Sequence, residues 1–128
     1  MPRVREGVTV FCGPPAAAVE RPHRWVLDAD GNAQPEPNLL AWARWYETAD
    51  RQLARDVELV GGEEVTVSTV FLALDHAVEG PPILWETMVF GGPLDGERRR
   101  YTGREDALQG HGKMVAWVIT TNQETEHD

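Results

Sequence analysis

The stretch VELVGGEEVTVSTVFLALDH, Val57–His76, decides the fold. Val57–Val60 and Glu64–Leu74 are rich in β-branched residues, and Gly61-Gly62 between them suits a two-residue hairpin loop that needs positive φ. After the loop AVEGPP, Ala77–Pro82, the run ILWETMVFGG from Ile83 reads as a further strand. A turn at Pro93-Leu94-Asp95-Gly96 then leads into a short strand from Arg98 to Tyr101. These segments predict an antiparallel meander of three or four strands, with enough apolar surface to cover one face.

A helical pattern lies on either side of the meander. Upstream, Asn38 suits an N-cap, and the residues from Leu39 to Arg55 keep a helical period. Leu39, Trp42, Trp45, Tyr46, Ala49 and Leu53 share one face, with Arg44, Glu47, Arg51 and Arg55 opposite. Such an aromatic stripe is a core face before it is a stacking platform, and Glu47 to Arg51 would add an i, i+4 pair worth a few tenths of a kcal/mol. Downstream, Thr102 with Glu105 forms a Thr-x-x-Glu capping box ahead of a helix over Arg104–Ile119. Gly103, Gly110 and Gly112 each cost up to about 1 kcal/mol of helix propensity, so packing must hold this helix. Its apolar arc is Ala107, Leu108, Met114, Val115, Val118 and Ile119, with His111 near the centre.

The expected class is therefore α+β, with one helix before the meander and one after it, both packed on the sheet. Residues 25–120 form one domain, residues 1–24 an irregular Pro- and Ala-rich arm with a short strand at Val8–Phe11, and the acidic residues 121–128 a disordered tail. Within the domain, Trp25–Leu27 reads as a short strand and Asp28-Ala29-Asp30-Gly31 as a tight turn. Its Asp-x-Asp spacing is not a calcium loop, because Ala33 stands where the sharp turn needs Gly and Leu39 where a bidentate Glu is required.

Composition narrows the partners. A chain of 128 residues buries about two thirds of its unfolded surface and needs no metal or disulfide to fold. With 21 acids against 12 bases the net charge is −9, which opposes phosphate attraction, so no nucleic acid is expected and a basic protein partner is favoured. The single cysteine, Cys12, makes no internal disulfide, no signal-peptide pattern opens the sequence, and no run approaches the roughly 18 apolar residues of a membrane helix. A soluble protein of a reducing cytoplasm, with no membrane contact, is the expectation. Eleven of the twelve bases are Arg. Arg98, Arg99, Arg100 and Arg104 form one basic cluster, either a patch for carboxylates or phosphates or a charged strand edge that blocks edge-to-edge pairing.

His111 is the sharpest local anomaly, an imidazole aimed at a core by its own helix. Unpartnered, it would cost on the order of 1 to 3 kcal/mol, so the facing sheet should supply a hydrogen bond. If Asp75 lies opposite Leu84, then Phe71, Ala73 and Asp75 share a face with Leu84, Glu86 and Met88. A one-residue slip puts His76 opposite Leu84 instead and onto the face of Glu86. Either way Glu86 acquires a polar companion, and Glu86, His111, His76 and Asp75 become the candidate cluster. They are suited to a general base or to three or four ligands of a divalent metal, and equally to a buried network that fixes register and helix docking. No His-x-x-x-His, Cys-x-x-Cys, phosphate-loop or nucleotide motif accompanies them, so no cofactor is expected.

The succession LLAWARWYETADR, VSTVFLALDH, PPILWETMVFGG, RRRYT and ALQGHGKMV resembles a family of small uncharacterised proteins of tailed bacteriophages, prophages and GC-rich bacteria. The likeness spans about residues 25 to 118. It implies a phage context without an established activity, and places Asp75, His76, Glu86, Thr87, Tyr101 and His111 in recurring blocks. The leading expectation is an acidic accessory protein that works by protein binding. The alternatives are a small metal-assisted hydrolase built on the Glu, His and Asp cluster, and a minor virion component.

Overall fold

A computed structural model describes residues 21–127. Residues 1–20, with the expected strand Val8–Phe11 and Cys12, lie outside the described residues. The fold of the described residues is α+β, with two helices, a two-stranded and a four-stranded antiparallel sheet. β1 (Trp25–Leu27) pairs with β2 (Ala33–Pro35) across the Asp28 turn, where Asp28 Oδ1 accepts from the Asp30 and Asn32 N–H groups. The larger sheet is a meander in the order β3 (Gln52–Val60), β4 (Glu63–Phe71), β5 (Trp85–Phe90), β6 (Arg98–Tyr101). Gly61 and Gly62 turn β3 into β4 with φ of 61° and 84°, the positive values a two-residue hairpin demands.

α1 spans Leu39–Thr48 and α2 spans Arg104–His127. α1 starts as expected, with Asn38 Oδ1 accepting from Ala41 N–H at 2.9 Å, and then stops early. Ala49 takes an extended backbone (φ −73°, ψ 142°), Asp50 Oδ1 accepts from Gln52 N–H, and the chain enters β3. Leu53 and Arg55 are thus strand residues, not the helix's last turn. A bulge between Gln52 and Ala54 lets Leu53 join the core all the same. The Glu47 to Arg51 pair gives way to another contact, with the Arg51 guanidinium over the Tyr46 ring at 4.4 Å and donating to Phe71 O. Of the α1 stripe, Trp42 and Trp45 pack on the core while Leu39 and Tyr46 stay exposed.

α2 begins one residue later than the capping box required, since Ala107 N–H bonds to Gly103 O and Gly103 is the N-cap. It continues past Ile119 to His127, through the stretch expected to fray. Its buried stripe is Ala107, His111, Met114 and Val118, at helical spacing, and it lies across all four strands of the larger sheet. α1 lies beside β1 and touches the larger sheet through Trp45, edge-on to Phe71, so among the described residues α2 alone lies across the whole sheet. Two apolar clusters result. Val60, Val65, Val67, Val89, Met114 and Val118 form one, and Phe71, Ala73, Leu84, Trp85 and Ala107 the other, closed by Trp25, Trp42, Trp45 and Leu53.

Candidate functional site

The boundary between those clusters is polar. Along β4 it is Thr69, between Val67 and Phe71; along β5 it is Thr87, between Trp85 and Val89; along α2 it is His111, between Ala107 and Met114. Thr69 and Thr87 are register partners, both fully buried, with their Oγ1 atoms 2.5 Å apart. His111 Nδ1 lies 2.7 Å from Thr69 Oγ1, and its Nε2 lies 2.7 Å from Oδ2 of Asp56 on the edge strand β3. One proton arrangement satisfies every group: Thr87 donates to Thr69, Thr69 donates to Nδ1, and Nε2–H donates to the Asp56 carboxylate. Carboxylate, imidazole and hydroxyl stand in the order used to activate a nucleophile. Here, however, the hydroxyl has no exposed surface for a substrate to approach, and the chain serves to lock α2 onto the sheet.

The observed register explains why His111 and Glu86 do not meet. Phe71 pairs with Trp85, and neither Asp75 nor His76 lies opposite Leu84; it is Leu72 N–H that bonds to Leu84 O. Trp85, Thr87 and Val89 therefore face α2, while Glu86 and Met88 point the other way. On that outer face Glu86 accepts from Arg100 Nε at 2.9 Å.

Asp75 is the loop anchor that ends the strand. Its Oδ1 accepts from the Ala77 and Ile83 N–H groups at 2.8 and 3.0 Å, and its Oδ2 takes Arg21 at 2.7 Å. Arg21 also donates to Gly80 O, tying the loop from both ends. Burial pushes the Asp75 pKa up, but the two backbone donors and the Arg21 cation together outweigh it and hold the carboxyl below its ordinary value. Residues 21–24 thus belong to the fold and not to an arm: Arg24 also bridges to Leu74. Between them, Ala73 adopts φ 68°, which turns its carbonyl to accept from Trp25 N–H and Trp42 Nε1. His76 is exposed. Asp75, His76, Glu86 and His111 are consequently dispersed, and among the described residues no group of three or more His, Cys, Asp or Glu is arranged to hold a metal.

The arginine cluster is also divided by the pleat of β6. Arg98 and Arg100 pair with Met88 and Glu86 and point outward; Arg99 points to the α2 side, with its guanidinium 5.3 Å from the Trp117 ring centroid. Arg104, in the first turn of α2, reaches past Gly31.

The largest feature missed by sequence reasoning is the sheet's outer face. It carries Val57 and Leu59 of β3, Val70 of β4, and Met88 and Phe90 of β5, with Arg55 and Arg98 at its sides. Leu59 is 73% exposed, Phe90 50% and Val57 40%, and no helix of the described residues covers them. A signal existed in the alternation. Val57 and Leu59 fall on one side of β3 and Val60 on the other, so apolar residues occupy both faces of a strand that only one helix layer can cover. No helix of the described residues is long and apolar enough to cross a membrane. No family model, curated protein or solved structure matches the chain.

Proposed function

We propose that the protein is a small acidic accessory module of phage or prophage type that acts by holding a protein partner against the open face of its four-stranded sheet. The observation that carries this reading is the exposure of Val57, Leu59 and Phe90 on a face that no helix of the described residues covers, opposite a face that α2 closes. Exposed apolar side chains with polar ones between them, here Thr66 and Ser68 of β4 between the outer strands, suit a partner that brings both apolar and polar groups. At long range the net charge of −9 favours a basic partner. At contact range Arg55 and Arg98, which have no partner among the described residues, suit carboxylates at the edge of that partner's apolar patch. Glu86, His111, His76 and Asp75 do not gather into one group among the described residues, so the reading rests on the sheet face instead.

The test compares the protein with the double variant Leu59→Lys, Phe90→Lys in pull-downs from host lysate. Both side chains are exposed, so the melting temperature should hold. The expected result is a stable complex with the wild type that the variant loses. Recovery of bare wild-type protein, or equal capture by the variant, would sink the reading.

A further inference from the structure

A second site lies on the other side of the sheet from the proposed docking face. Between edge strand β6 and α2 runs a cleft of about 360 Å³, within the range of small-molecule sites. Its shape depends on Gly110. A Cβ there would overlap the phenol end of Tyr101, so only glycine lets the strand's last side chain lie flat against the helix. The Tyr101 hydroxyl is buried by that approach and has no hydrogen-bond partner among the described residues, an uncommon state for a buried polar atom.

Two other lining side chains share this lack, and Asp106 adds one carboxylate to the rim. Lys113, the chain's single lysine, stands one turn of α2 from Gln109 and from Trp117, and neither Lys113 nor Gln109 has a partner among the described residues. Arg99 extends over Trp117 from the strand side and is held in place by Glu97 at 3.3 Å and by donation to Arg98 O. On a chain of net charge −9, two cations therefore flank an aromatic and thioether floor of Trp117 and Met114. An apolar floor flanked by two cations suits one kind of molecule.

We propose that this cleft binds a small aromatic anion, its ring on Trp117 and its carboxylate or phosphate between Arg99 and Lys113. Lys113 gains a partner with the ligand that the described residues do not supply, and Arg99 turns part of its donor capacity from Glu97 to the anion.

The experiment follows the Trp117 indole N–H and the Gly110 amide by NMR. Benzoate and phenyl phosphate are titrated separately, with inorganic phosphate and benzyl alcohol as the anion-only and ring-only controls. The expected result is a saturable shift at both positions with one or both aromatic anions, the tighter of the two identifying the anionic group. Each control should bind at least about tenfold more weakly, and Lys113→Met should weaken the aromatic anion about tenfold while leaving the melting temperature unchanged. The proposal is overturned if neither aromatic anion gives a saturable shift. It is overturned equally if inorganic phosphate matches them, or if Lys113→Met binds as the wild type does.

Discussion

The two faces of the four-stranded sheet carry polar groups to opposite ends. On the inner face, Thr69, Thr87, His111 and Asp56 are matched donor to acceptor beneath α2. On the outer face, Glu86 and Arg100 pair beside exposed Val57, Leu59 and Phe90. Each face has one such contact, 2.7 Å inside and 2.9 Å outside, and each borders solvent at one end: inside it is the Asp56 carboxylate, 51% exposed, while His111 is buried and bonded on to Thr69; outside it is Arg100. Length alone does not measure what a polar contact contributes; the surroundings decide it.

The sharpest way to break this comparison is His111→Ala. It deletes a buried ring and strands Thr69 without an acceptor, so a loss of about 3 kcal/mol in urea unfolding is expected. Thr69→Val should cost about 2 kcal/mol, and the double variant Thr69→Val, His111→Leu less than the two single changes added together, because a matched apolar pair leaves nothing unpaired. Additive costs would show that the inner chain does not act as a unit.

Asp75→Asn comes next, at about 2 kcal/mol at neutral pH, since the charge that two backbone donors and Arg21 share is removed. The sign of its pH dependence follows from a folded pKa lying below the ordinary value of 3.8. Stability from Asp75 is fully present above that value and is lost as pH falls through the lower folded pKa, so wild type and variant should converge only in strong acid. A gap between their unfolding midpoints that stays constant from pH 7 to pH 2 would contradict the anchor.

Glu86→Gln should have the smallest effect, below about 1 kcal/mol, because its pair with Arg100 borders solvent. A loss equal to that of His111→Ala in the same melts would mean that Glu86, not Thr87, faces the helix.

These contrasts also show what local pattern reveals. Gly61-Gly62 announces its hairpin because positive φ at two successive positions is a property of the residues themselves. The α2 stripe with His111 at its centre is equally visible, since helical spacing alone aligns Ala107, His111, Met114 and Val118. The switch at residues 49–52 is hidden, because Leu53 fits both the α1 period and, through a bulge, the core side of β3. Thr69 and Thr87 left a trace: each stands at alternate spacing among buried residues, Val67 and Phe71 or Trp85 and Val89, where a hydroxyl needs a partner. Glu86 stands out instead only if Asp75 pairs with Leu84, which would put it on the face of Phe71; Phe71 pairs with Trp85, and Glu86 falls on the other face.

What the sequence determined by itself is the kind and order of the elements: an α+β chain with an antiparallel meander, and a helix carrying a histidine on its buried side. These are set by side chains a few residues apart, through turn geometry and periodic burial. Only the tertiary structure decided who that histidine meets. Its two partners lie 42 and 55 positions away along the chain, and strand register with helix docking chooses them. A shift of one residue in that register moves every side chain of a strand to the other face, so local preference has almost no hold on the choice until the sheet and helix close together.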